Sequence, residues 1–149
     1  MCTGGIIMTK SYGAVFRGYR MDTNRDTLPE YTGIFIVYRC ILEEKSHTVD
    51  LKEILYIGKA LNVRDTVNKL HDTFIAEVKD GEDLCYSYAE IPEDNHNLDI
   101  IENALVLFAQ KPRLNKNEEL KTEYNFDKPA QFLIEGSCAL LKHVNYTIQ

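Results

Sequence analysis

The residues best suited to chemistry lie in one stretch, Ile54 to Leu70, which reads ILYIGKALNVRDTVNKL. It opens as an apolar strand, passes through Gly58 and becomes helical, so Tyr56, Lys59, Arg64 and Thr66 follow one another across a strand-to-helix junction. A lysine at such a junction can approach a phosphate as a point charge, while an arginine offers a bidentate fork. His71, further along the helix, is a possible proton acceptor near neutral pH, although an ordinary surface position is the simpler reading. Two more polar residues stand downstream: Glu102 in an apolar helical run, and Asn115 at the end of Pro112-Arg113-Leu114-Asn115. Each has a plain alternative. Tyr56 can be a strand aromatic, Glu102 a helix-surface carboxylate, and Asn115 a residue that fixes its loop through backbone hydrogen bonds.

The elements that must position these groups are legible from periodicity. GIFIVYRCIL, from Gly33 to Leu42, is short and rich in β-branched and aromatic residues, which predicts a strand over 33–41. LKEILYIG returns after the polar turn EEKSHTVD, predicting an antiparallel partner over 51–57. Leu61, Val67, Leu70, Phe74 and Val78 recur at helical spacing up to Asp80-Gly81, predicting a helix over 61–79. A third strand is expected over 84–91 and a second amphipathic helix over 97–109, stopped by Pro112. Upstream, SYGAVFRGYR alternates as an extended segment; downstream, QFLIEG and CALLKHVNYTIQ suggest a β-hairpin through Gly136 and Ser137, after a loop with room for one helical turn. The order β-β-α-β-α with a β-rich tail predicts an α+β fold, a small antiparallel sheet flanked by helices.

The whole chain sets the frame for that fold. Its 149 residues suit one domain, 44% hydrophobic and 27% charged residues are ordinary for a globular protein, and no run approaches a membrane-spanning length. No membrane partner is expected, and with no secretory signal at the N-terminus the expected location is cytoplasmic. Cys2, Cys40, Cys85 and Cys138 are too scattered for a zinc site, and the last three sit in apolar stretches as small buried hydrophobes. A net charge of −6 is not the footprint of nonspecific nucleic-acid coating, so any phosphate-binding surface must be local. Lys59/Arg64/Lys69 and Lys111/Arg113/Lys116 are the two basic clusters, each also explicable as a solvated face.

Over residues 29–115 the sequence resembles the GIY-YIG nuclease family, which includes the N-terminal domain of a bacterial excinuclease component and certain homing and restriction endonucleases. The resemblance rests on Gly33-Ile34-Phe35 shortly after Pro29, on Tyr56-Ile57-Gly58-Lys59-Ala60-Leu61-Asn62-Val63, on Glu102 in the second helix, and on Pro112-Arg113-Leu114-Asn115. It implies a metal-dependent DNA endonuclease in which Glu102 holds one Mg²⁺ or Mn²⁺ ion. In this reading Tyr56 hydrogen-bonds near the scissile phosphate, and Asn115 belongs to the same site. Residues 1–28 are then an N-terminal extension, and 116–149 a C-terminal extension packed on the same domain.

Two positions depart from the family pattern. Phe35 stands where a tyrosine would orient the attacking water, and Thr66, eight residues after Gly58, stands where an arginine would stabilise the transition state. Loss of such a charge donor costs about 10²- to 10³-fold in rate, roughly 3–4 kcal/mol. Arg64, about 200° round the helix from Thr66, and Lys59 are imperfect substitutes. The expectation is therefore either a weakened DNA phosphodiesterase or a pseudo-nuclease that binds nucleic acid or protein without cutting. An unrelated α+β interaction module is the third reading.

Overall fold

The computed structural model describes residues 10–91, 95–109, 111–115, 129–141 and 145–148. Cys2 and Lys116 lie outside them, as does most of the loop over 111–129 in which one helical turn is expected; the described part of that loop holds a short 3₁₀ turn, Arg113–Asn115. Among the described residues six strands form one sheet in the order β3-β2-β4-β1-β5-β6: β1 (Lys10–Met21), β2 (Gly33–Glu43), β3 (Thr48–Ala60), β4 (Asp83–Glu90), β5 (Ala130–Gly136) and β6 (Asn145–Ile148), and two α-helices flank it, α1 (Val63–Ile75) and α2 (Asn95–Phe108). The fold is α+β, as the pattern of periodicities predicts.

Strand β2 is buried along most of its length because it lies between β3 and β4 and is covered on both faces. Its alternation divides the core in two. Ile34, Ile36 and Tyr38 face α2, together with Ile57, Ile101 and Leu105. Phe35 and Val37 face α1, with Leu55, Val63, Val67 and Phe74. The two helices therefore lie on opposite faces of the sheet, and neighbouring residues of one strand serve different cores.

The four strands β3-β2-β4-β1 pair antiparallel throughout, but β5 joins β1 in parallel, which makes the sheet mixed. Residues 10–21 are consequently more than an extension. Tyr12, Ala14 and Phe16 are buried, and the strand is interior to the sheet, between β4 and β5. The C-terminal pair β5/β6 is antiparallel as expected, with β6 starting only at Asn145 rather than directly after Gly136-Ser137. Cys40, Cys85 and Cys138 are buried free thiols, in keeping with their apolar surroundings.

Helix α1 is shorter than its periodic residues suggest. Asn62 caps its start by accepting from Asp65 N–H at 3.1 Å, and past Ile75 the chain tightens into i→i+3 bonds, Glu77 N to Phe74 O and Val78 N to Ile75 O. Val78 still packs on the α1-side core, so helical spacing outlasts the helix by one turn.

Strand β3 is an edge, and one side chain closes it. Asn115, fully buried in a short 3₁₀ turn (Arg113–Asn115), accepts from Ile57 N–H at 2.9 Å and donates to Ile57 C=O at 2.9 Å. The amide thus supplies the pairing that a neighbouring strand would have made. Arg113 anchors the same turn, with Nε and one amino group on Glu53 at 2.7 and 3.0 Å and the other on Glu77 at 2.7 Å. Replacing Asn115 by Ala orphans a buried N–H and a buried C=O. It is expected to lower unfolding free energy by about 1–3 kcal/mol for each unpaired group, measured by urea denaturation, with β3 amides losing hydrogen-exchange protection first.

Candidate functional site

The register of β2 on β3 is what brings together the first motif of the resemblance, Gly33-Ile34-Phe35, and the second, Tyr56-Ile57-Gly58. Phe35 lies opposite Gly58 and Val37 opposite Tyr56, so the aromatic of the first motif, the tyrosine of the second and the glycine share the α1 face. A Cβ added at Gly58 would come within 2.6 Å of Phe35 Cζ and 2.6 Å of Tyr56 Cε2. Glycine is required there because two rings occupy the space a side chain would need. Phe35, Tyr56 and Phe74 pack as one trio, with ring centroids 5.9 Å apart for Phe35 and Tyr56 and 5.5 Å for Tyr56 and Phe74. Phe35 is entirely buried, whereas Tyr56 is half-buried.

The remaining candidates are divided: Arg64, Thr66 and His71 ride on α1, on the same side of the sheet as this trio, while Lys59 and Glu102 lie on the α2 side. Thr66 is a half-buried residue one turn beyond Val63 on α1. Arg64 is occupied elsewhere: its Nε donates to Leu28 C=O at 2.7 Å and an amino group to Glu30 at 2.8 Å, tying the start of α1 to the segment before β2. Lys59 pairs opposite Ile34, on the α2 face, and bonds Asp99 of α2 at 2.5 Å. Glu102 is a half-buried residue of α2, the helix on the face away from Tyr56. Asn115 stands at the β3 edge with its amide committed to Ile57. Beside Lys59 opens a cleft of about 360 Å³, lined also by Ala60, Leu61, Leu98 and Asp99. Leu61 is 71% exposed at its mouth.

His71 belongs to a cluster whose other members gave no signal in the sequence. Its Nε2 lies 3.0 Å from both carboxylate oxygens of Asp22, which also accepts from the Tyr86 hydroxyl at 2.5 Å and from Arg25 at 3.0 Å. Arg25 in turn donates to Asn68 at 2.7 Å. Asp22, Tyr86 and His71 are each far apart in the chain, so no spacing rule could have joined them. Burial alone would raise the Asp22 pKa, but the bonds from Tyr86, His71 and Arg25 outweigh it and hold the carboxyl below its ordinary value. Burial, then the bond to Asp22, pushes the Tyr86 hydroxyl far up, so it remains a donor. The cluster clamps the turn after β1 onto α1 and β4.

Among the described residues no group of three or more His, Cys, Asp or Glu side chains is arranged to hold a metal ion, and no helix is long and apolar enough to cross a membrane. No protein-family model matches the chain, and neither curated proteins nor solved structures gave a match.

Two measurements follow from this geometry. Gly58→Ala is expected to destabilise the fold by about 1–3 kcal/mol, since the methyl must displace the buried ring of Phe35. In Gly58→Ala/Phe35→Leu the loss should be smaller than the sum of the two single losses, as a denaturation double-mutant cycle would show. For Asp22 the folded pKa is depressed, so its stabilisation is present above the unfolded value of 3.8 and disappears as pH falls through the lower folded value. Asp22→Asn should therefore be less stable than the parent at pH 7, with the difference shrinking below about pH 4 in Tm measured against pH.

Proposed function

We propose that this chain is a GIY-YIG-like domain that no longer cuts, a pseudo-nuclease that works as a binding module with a protein as its partner. The observation that carries the reading is Phe35: the position that would orient water is a fully buried ring pressed over Gly58, with no hydroxyl to act. The register of the two motifs and the β-β-α-β-α order from β2 to α2 support the family resemblance.

The separation of the remaining groups supports loss of catalysis. Tyr56 packs in the α1-side core while Glu102 stands on α2, so a single Mg²⁺ or Mn²⁺ ion on Glu102 would not serve a phosphate held at Tyr56. The donor set therefore does not fit the implied metal. Three members of the two basic clusters are already neutralised within the fold: Lys59 by Asp99, Arg64 by Glu30, and Arg113 by Glu53 and Glu77. A polyanion would have to break these pairs against a net charge of −6. The cleft with Leu61 at its mouth instead offers apolar surface of the kind a protein partner buries.

Plasmid nicking in Mg²⁺ or Mn²⁺ tests the catalytic half of the reading. Neither the parent nor Phe35→Tyr/Thr66→Arg is expected to nick, because restoring two groups leaves Glu102 on the far helix. Nicking by either protein that disappears on Glu102→Ala would establish a working nuclease. Fluorescence anisotropy with a DNA duplex at low salt tests the other half. No saturable binding is expected, and tight binding that weakens steeply with salt would make DNA the partner.

A further inference from the structure

At the β1/β5 end of the sheet the α1-side face carries a groove that the reading above does not use. Helix α1 packs against β2, β3 and β4. Along β1 and β5 the residues turned to the opposite face, Phe16, Phe132 and Ile134 among them, are buried, while Val15 and Leu133 are 57% and 44% exposed. The parallel register sets Gly13 beside Leu133 and Val15 beside Glu135, so Val15 and Leu133 are diagonal neighbours on one face. Around them lies a groove of about 340 Å³, with Arg17, Tyr31, Glu90 and Glu135 on its walls. That is the low end of the range taken by small-ligand sites, roughly 300–1,000 Å³.

The arginine in the groove is unlike the others in the chain. Of the six arginines in the chain, five are spent internally: Arg20 on Thr27 and Tyr88, Arg25 on Asp22, Arg39 on Glu53 and Glu82, Arg64 on Glu30, and Arg113 on Glu53 and Glu77. Arg17 is the sixth. Among the described residues it makes no hydrogen bond or ion pair, and neither do Glu90 and Glu135, although all three line the same groove. A simple anion would meet two carboxylates there, and a simple cation would meet a guanidinium. A ligand that carries both signs satisfies each of them.

We propose that this groove binds a small zwitterion with an apolar body, of the class of apolar free amino acids and their dipeptides. The carboxylate takes the planar fork of Arg17, the ammonium takes Glu90 and Glu135, and the side chain covers Val15 and Leu133. Tyr31 supplies a hydroxyl donor, since burial, then Tyr88 and Glu90 nearby, pushes its pKa up to about 12. The site is independent of the two motifs and of any DNA chemistry.

Calorimetric titration of the full chain tests it, with L-leucine, L-phenylalanine and Leu-Leu as probes at up to about 10 mM, well above a millimolar Kd. At least one zwitterion is expected to bind saturably. Its methyl ester and its N-acetyl derivative should each bind at least about tenfold more weakly, equivalent to about 1.4 kcal/mol. Arg17→Gln should weaken the zwitterion by a similar factor and erase its advantage over the ester. Glu90→Gln/Glu135→Gln should do the same for the N-acetyl form. All three side chains are exposed, so these variants should keep the parent Tm. No saturable heat from any of the three probes overturns the proposal. So does binding that is unchanged in Arg17→Gln, or equal for zwitterion and blocked forms.

Discussion

The β2/β3 register is the constraint on which the rest of the structure depends, and Gly58 makes it possible. Two aromatic rings, Phe35 and Tyr56, converge over a residue with no side chain. A shift of one residue would turn Phe35 toward α2 and put Ile34 and Ile36 under α1, exchanging the contents of the two cores. Fixing this register fixes Lys59 on the α2 side, where it bonds Asp99, and leaves Ile57 with its N–H and C=O facing outward for Asn115. The sheet, both helices and the closing turn are thus coordinated from one pair of strands.

Polar groups finish what packing begins. Asn115 is one of two buried polar side chains among the described residues, and it is placed where an edge strand would otherwise expose its pairing groups. Arg113 holds the same turn from outside, and Glu53, which it shares with Arg39, is kept ionised by those hydrogen bonds, Arg113 contributing most. At the far end of α1, Asp22 gathers Tyr86, His71 and Arg25. Each arrangement ties residues distant in sequence, and each uses up charges that a surface site would need to leave available.

Local rules reached the elements and stopped at the assembly. Alternation and helical spacing found β2, β3, β4 and both helices because each buries one stripe or face against its neighbours. They also found that β1 is extended, but its place between β4 and β5 depends on pairings with residues far along the chain, which no window contains. Of the candidate residues, Phe35 and Tyr56 do come together over Gly58. The side taken by Lys59 was hidden because the sequence predicts a strand ending at 57, whereas β3 continues to Ala60 and alternation turns Lys59 away from Tyr56; the side taken by Glu102 was hidden because a helix reached through a loop can cover either face. The partners of His71 were invisible for the same reason as those of β1.

The position of β1 also bears on how the chain folds. It is the first of the described strands along the sequence, yet it pairs with β4 on one side and with β5 on the other, so Lys10 lies beside Ala130. During synthesis from the N-terminus, β1 therefore emerges long before either neighbour exists, with Tyr12, Ala14 and Phe16 uncovered. The hairpin β2/β3 with α1 can form early from local contacts and β4 can then pair with β1, but the other edge of β1 stays open until β5, residues 130–136, has been made. Such non-local pairing slows folding and prolongs the time in which an apolar strand with two open edges can find another chain. A fold that is compact at equilibrium thus carries a kinetic exposure set by where its first strand ends up.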